Sequence, residues 1–283
     1  MALECPPDTL ENELEALLSP SMFPFGKLGE SARYSLLGGG KRIRPRLVLA
    51  TAQGYGVPLE KAMQPACALE LVHTYSLIHD DLPCMDNDDF RRGKPSLHKA
   101  YPEAHALLTG DFLLTYAFQI LSESPHLTDV QRNSLVRTLT LRAGANGMVG
   151  GQEGDLFFTG KSLAWDELEE IHRKKTAALF SCALEFGGIV ADSPAVPQLA
   201  QIGELLGLFF QIADDLTDTD DRAKEKPSAL SLLGKERAGE IAHNLFAEAL
   251  SQIRALSTPL PALESVVCEM NLKTGAPVFR MKR

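Results

Sequence analysis

Apolar residues recur three and four positions apart along almost the whole chain, and this period constrains the fold more than any other feature. The stretch ALELVHTYSLIHD places Leu69, Val72, Tyr75 or Ser76, and His79 on one stripe of a helix. AHALLTGDFLLTYAFQIL and ELLGLFFQIADDL read the same way. Helix starts are marked by Thr128-Asp129 before VQRNSLVRTLTLRAGA and by Ser162 to Asp166 at the head of WDELEEIHRKKTAALFSCALEF. Gly187-Gly188 reads as the stop of that second helix, and Ser193-Pro194 opens another that ends near Asp218. No alternating strand blocks, hairpin dipeptides between such blocks, fixed-period repeats or low-complexity linkers interrupt the pattern. The expectation is an all-α fold in which residues 1–283 form one domain, a single large bundle of long helices.

Charge narrows the function classes. The net charge of -9 argues against nucleic acid as a partner, which would call for a basic excess. Basic clusters at Lys41–Arg46 and Arg91–Lys94 run against that sign and suit a small anionic ligand. The five cysteines are scattered with no CxxC pair, as in a reduced cytosolic chain rather than a disulfide framework or zinc site. The acidic start MALECPPDTLENELEALL lacks the basic region of a signal peptide, and no apolar run approaches the ~20 residues of a membrane span. A soluble, cytoplasmic protein is expected.

Two apolar helical runs lead straight into carboxylates. The first ends in Asp80, Asp81 and Asp86, followed by Asp88 and Asp89; the second ends in Asp214, Asp215 and Asp218. Three- and four-residue spacing puts the second triplet on one helix face, where like charges cost a few tenths of a kcal/mol per pair, so helix propensity does not account for them. A cation between them reverses that cost. Magnesium suits such a pair of clusters, because it takes one or two carboxylates, several waters and the phosphate oxygens of a substrate. Lys41, Arg44, Arg91, Arg92 and Lys175 would grip phosphates beyond the metal's reach. The bland alternative is a pair of solvated helix ends.

The motifs GGGKRIRP (Gly38–Pro45), HTYSLIHDDLPCMDNDDFRRGKPS (His73–Ser96), GMVGGQEGDL (Gly147–Leu156), KKT (Lys174–Thr176) and FQIADDLTD (Phe210–Asp218) occur in that order. Together they closely resemble the trans-polyprenyl diphosphate synthases, and most of all the bacterial farnesyl diphosphate synthase branch, from about Arg33 to Leu233. That resemblance implies a helical bundle around a deep central cavity, usually a homodimer, that joins isopentenyl diphosphate to an allylic diphosphate. Asp80, Asp81 and Asp86 would form the first aspartate motif and Asp214, Asp215 and Asp218 the second. Three magnesium ions would bridge both to the allylic diphosphate. Arg91, Lys175, Thr176 and Gln211 would line the allylic site, with the oxygens near Lys175 and Thr176, and Gln211, stabilising the allylic cation. Lys41, Arg44, His73 and Arg92 would hold isopentenyl diphosphate. Gln152 and Asp155 are plausible polar neighbours of the cavity.

Product length follows from helix direction. Tyr75 lies five residues and Ser76 four before Asp80, so one or both should face the cavity below the metals. A tyrosine ring there is a floor against further elongation, and the resemblance agrees, because bacterial farnesyl synthases carry an aromatic at this place. A fifteen-carbon product is expected, with the twenty-carbon geranylgeranyl product as runner-up. Departures from the family pattern raise a rival, a non-catalytic helical binding homologue. After the second motif, TDTDDRAKEKPSALSLLG is short and lacks one lysine of the usual pair; Lys226 matches the later one, and Lys224 could replace the earlier. His79-Asp80 also spells the HD pair of a metal phosphohydrolase, though the other histidines supply no matched ligand set. Cys84 reads as a small packing residue.

Overall fold

The structure is a computed structural model that describes residue 3, residues 7–217 and residues 227–273. The chain begins with α1 (Pro7–Leu17), α2 (Lys27–Leu36), α3 (Ile43–Gly54) and the long α4 (Leu59–Asp80). Strands β1 (Phe90–Arg91) and β2 (Lys94–Pro95) then precede α5 (Leu97–Ala100), α6 (Glu103–Glu123), α7 (Asp129–Ala143), α8 (Met148–Phe158) and α9 (Trp165–His172). One π-helical turn, Arg173–Ala177, joins α9 to α10 (Ala178–Val190). α11 (Val196–Thr217), α12 (Ala229–Ala255) and α13 (Pro261–Lys273) complete it.

The helical period is realised because it buries a continuous interior. α3, α4, α10 and α11 pack side by side, with α6 outside α4 and α12 outside α11. One core runs from Leu10 on α1 to Met270 on α13, and Phe180, Phe186, Phe209 and Phe246 lie wholly inside it. Each such side chain contributes about 1.5–3 kcal/mol relative to exposure. Thr128 caps α7 as expected: its hydroxyl accepts from the Gln131 amide at 3.2 Å, and the Gln131 side chain accepts from the Thr128 amide at 3.1 Å. Among the described residues no helix is long and apolar enough to cross a membrane.

Two expectations need correction. Gly187-Gly188 does not stop a helix but lies inside α10, which runs on to Val190. A Cβ on Gly187 would stand 2.5 Å from the Thr51 Cβ, so this glycine buys close approach of α10 to α3 rather than a turn. A hairpin also exists where none was expected. Arg91 pairs with Lys94 across Arg92-Gly93, whose φ of 54° and 75° suit a tight two-residue turn. With only two residues on each side, it had no alternating pattern to reveal it.

Candidate active site

Both aspartate clusters lie where their helices run out. Asp80 is the last residue of α4 and Asp81 follows it, while Asp214 and Asp215 fall in the last turn of α11. The loop after α4 folds back at once, the Asp86 amide donating to the Asp80 carbonyl at 2.9 Å. Between the helices opens a cavity of about 790 Å³. Of the expected site residues, Lys41, Arg44, His73, Tyr75, Ser76, Asp80, Arg91, Arg92, Lys175, Thr176, Gln211 and Asp214 line it, as does Gln152. Such a volume is that of a small-molecule site.

One wall is basic. The loop between α2 and α3 brings Lys41 to 5.5 Å from the Phe210 ring centroid, and the first turn of α3 sets the Arg44 guanidinium 4.8 Å from that of Phe180. Arg44 Nη1 is 3.3 Å from His73 Nε2, and its buried Nε has no hydrogen-bond partner. Burial pushes the Arg44 guanidinium down to about 10, against the pull of Glu70 and with the help of Arg92. Burial and the neighbouring Arg44 hold His73 well below the usual imidazole range, so its ring is neutral at pH 7. Arg92 hydrogen-bonds the Gly39 carbonyl, and its guanidinium occupies the space a Cβ on Gly40 would need, at 2.8 Å. Gly40 has φ 140°, a conformation other residues rarely adopt. A buried Arg44 with an unpartnered N–H, beside Lys41 and Arg92, has the chemistry to receive an anion.

The opposite wall is mixed. Lys175 sits on the π turn, its Nζ 2.6 Å from Asp155 Oδ2 on α8 and 3.9 Å from Asp80 Oδ2. Thr176 donates to Gln211 Oε1 at 2.8 Å, and Gln211 Nε2 donates to Asp215 Oδ1 at 3.0 Å, so the turn is wired to the second aspartate cluster. π turns are rare and concentrate at functional sites, because they rotate side chains and carbonyls off the α-helical register. Gly151 makes room for this one: a Cβ there would come 2.6 Å from the Lys175 Cα.

Burial raises the Asp80 carboxyl to about 6; Lys175 opposes that, while Asp86 and Asp155 add to it. An anion lacking enough counter-charge in a cavity that also holds Asp214 is a donor set that fits a hard divalent cation. Among the described residues no three His, Cys, Asp or Glu side chains already converge as a metal cage. Magnesium takes one or two carboxylates and fills its remaining positions with water and phosphate oxygens, which Asp80 and Asp214 in one cavity suit.

Some expected residues stand elsewhere. Asp81 does not line the main cavity: it is 2% exposed and accepts from Arg91 Nε at 3.0 Å, beside a small recess of about 40 Å³. Asp86 and Asp215 are also set back from the lining; Asp215 Oδ2 accepts from the Ala229 amide at 2.8 Å. Asp218, Lys224 and Lys226 lie outside the described residues. His79 borders the cavity, but its Nε2 is 3.0 Å from the Leu107 carbonyl on α6, which fits packing better than a phosphohydrolase pair. Cys84 is exposed, so the packing role expected of it does not hold. Sequence reasoning missed Glu70, a buried carboxylate in the cavity wall, and the π turn. A charge in the otherwise apolar run ALELV was the available signal for Glu70.

The polyprenyl synthetase family model matches residues 26–246. A farnesyl diphosphate synthase of Geobacillus stearothermophilus is 45% identical over 221 residues, 77% of this chain and 72% of that one. A chloroplastic geranylgeranyl pyrophosphate synthase of Capsicum annuum is 41% identical over 258 residues, 84% of this chain and 70% of its own length. The crystal structure of an FPP/GFPP synthase from Zymomonas mobilis superposes with a TM-score of 0.85 at 38% identity, covering 92% of this chain and 94% of that one. Fold, cavity and sequence agree, and the chain belongs to the polyprenyl synthetase family.

Proposed function

We propose that the protein condenses isopentenyl diphosphate head-to-tail with dimethylallyl or geranyl diphosphate and releases farnesyl diphosphate. The observation that carries this reading is one cavity lined by the cations Lys41, Arg44 and Arg92 with a neutral His73, and also by the carboxylates Asp80 and Asp214 with Lys175. Two different diphosphates can then meet tail to head between them. The family uses magnesium, which when bound neutralises the leaving diphosphate as a Lewis acid. Asp80, Asp81, Asp86, Asp214, Asp215 and Asp218 would hold it, three ions in number. Arg91, Lys175 and Lys226 orient the allylic diphosphate, while Lys41, Arg44, His73 and Arg92 hold isopentenyl diphosphate.

The allylic C–O bond breaks, diphosphate leaves with the electron pair, and the double bond of isopentenyl diphosphate attacks the cation. A proton is then lost to the departed diphosphate. Thr176 and Gln211 present oxygen dipoles rather than nucleophiles, which stabilise a cation without capturing it. The apolar interior excludes water, which would quench it. Tyr75, 6% exposed and edge-on to His79 at 5.7 Å, is among the cavity's lining residues, and its bulk five residues before Asp80 supports a fifteen-carbon product over a twenty-carbon one. Exposed Leu107 and Leu108 on α6 support a homodimer, and the scattered cysteines with no CxxC pair support a cytoplasmic setting. The test is incubation of purified protein with both substrates and magnesium, reading diphosphate release and product length. No diphosphate release would leave a binding homologue instead.

A further inference from the structure

Arg42 caps α3 between Lys41 of the preceding loop and Arg44 of the first helical turn, yet its guanidinium binds only the protein. Nε and Nη2 donate to the two oxygens of Glu11 at 2.7 and 2.9 Å, Nη2 also donates to the Leu36 carbonyl at 2.6 Å, and Nη1 donates to Glu70 Oε1 at 2.7 Å. The residue is 7% exposed and its backbone is left-handed, with φ 47° and ψ 37°. Such a conformation is strained for a non-glycine residue and persists only when the surroundings over-determine it. A buried ion pair is also a poor way to gain stability, since apolar side chains of similar size serve as well. What this pair gives instead is position. Direct contacts hold Arg44 loosely, through His73 Nε2 at 3.3 Å and the face of Phe180, so its place depends on the backbone two residues before it.

We propose that Arg42, clamped between Glu11 on α1 and Glu70 on α4, is a positioning residue for the isopentenyl diphosphate half-site. It fixes the loop so that Lys41 and Arg44 stand ready for the anion, and it does not itself touch substrate. Glu70 lies one helical turn before His73, so one stretch of α4 anchors the clamp and lines the site. Glu11 lies ahead of residues 26–246, the span the family model matches, so a helix outside that span braces Arg42 at the edge of the site. The inference rests on the proposed function and adds residues to it.

Arg42→Lys keeps a positive charge beside Glu70 but cannot reproduce the planar fork of hydrogen bonds, so it separates geometry from charge. In steady-state assays the KM for isopentenyl diphosphate is expected to rise tenfold or more, with kcat and the allylic KM within threefold of wild type. Glu11→Gln loosens only the half-exposed arm and decides the matter if Arg42→Lys does not fold; a threefold or larger rise confined to the same KM is expected. An unchanged KM for isopentenyl diphosphate, or equal rises for both substrates, would overturn the clamp. Calorimetry with isopentenyl diphosphate alone keeps the two proposals apart. A wild type that binds it without turnover fails the functional reading, and the variants' Kd values then judge the clamp. A wild type that does not bind it overturns both.

Discussion

Replacing Asp80 by asparagine should make the metal-free protein more stable while all but abolishing turnover. Burial, reinforced by Asp86 and Asp155 and opposed by Lys175, raises this carboxyl from 3.8 to about 6 in the folded chain. A gap of about two pH units at ~1.36 kcal/mol each means that holding Asp80 ionised at pH 7.5 costs the fold about 3 kcal/mol. The net shift already includes the attraction of Lys175, which keeps Asp155 at 2.6 Å after the substitution. Burying the new amide takes back part of the gain, leaving roughly 1–3 kcal/mol, or a Tm rise of about 2–8 °C for a chain of this size. The sign fixes the pH window. A carboxyl whose folded value lies above its unfolded value destabilises most above the folded value, and that cost fades as pH falls from about 6 toward 3.8. The variant's advantage, measured by thermal melts with chelator present, should be full at pH 7.5 and about half as large at pH 5. A variant less stable than wild type at pH 7.5, or a difference independent of pH, would refute the electrostatic reasoning.

Tyr75→Ala removes the ring beneath the aspartates and should lengthen the product by at least one isoprene unit, read by chromatography of the dephosphorylated alcohols; unchanged lengths would move the floor elsewhere. Gly151→Ala sets a methyl group against the Lys175 backbone and should displace the π turn, costing roughly 1–3 kcal/mol by denaturant melts and much of kcat. His73 should titrate below the ordinary imidazole range by NMR, since burial and Arg44 disfavour its charged form. His172, which burial lowers to about 4, should behave the same way. Each of these histidines contributes stability that is complete above about 6.5 and is lost at about 1.4 kcal/mol per unit as pH falls below it.

The sequence discloses those parts of this molecule that depend on period and on charge. α4 and α11 are legible because a 3.6-residue apolar stripe ends abruptly in carboxylates, which nothing in helix propensity favours. Spacing also places His73, Ser76 and Asp80 on one face, and all three line the cavity. The rest depends on tertiary packing. Gly187-Gly188 looks like a helix stop because glycine serves both as a terminator and as a gap for a neighbouring helix, and only the approach of α3 decides between them. The π turn at Arg173–Ala177 has no residue signature, and its close packing against α8 at Gly151 is visible only in the fold. Nothing in the acidic N-terminal stretch singles out Glu11, and only the fold brings it to Arg42. Asp81 belongs to the motif in sequence, but in space it serves Arg91 rather than the cavity.

The central claim is that two diphosphates bind at once on opposite walls, and that the carboxylate wall alone needs metal. Calorimetry with isopentenyl diphosphate and a non-ionising allylic thiolo-diphosphate, each titrated with and without magnesium, tests it most directly. The account predicts that isopentenyl diphosphate binds without magnesium through Lys41, Arg44 and Arg92, that the allylic analogue binds only with magnesium, and that neither displaces the other. Mutual competition for one site, or an equal magnesium requirement for both ligands, would contradict it.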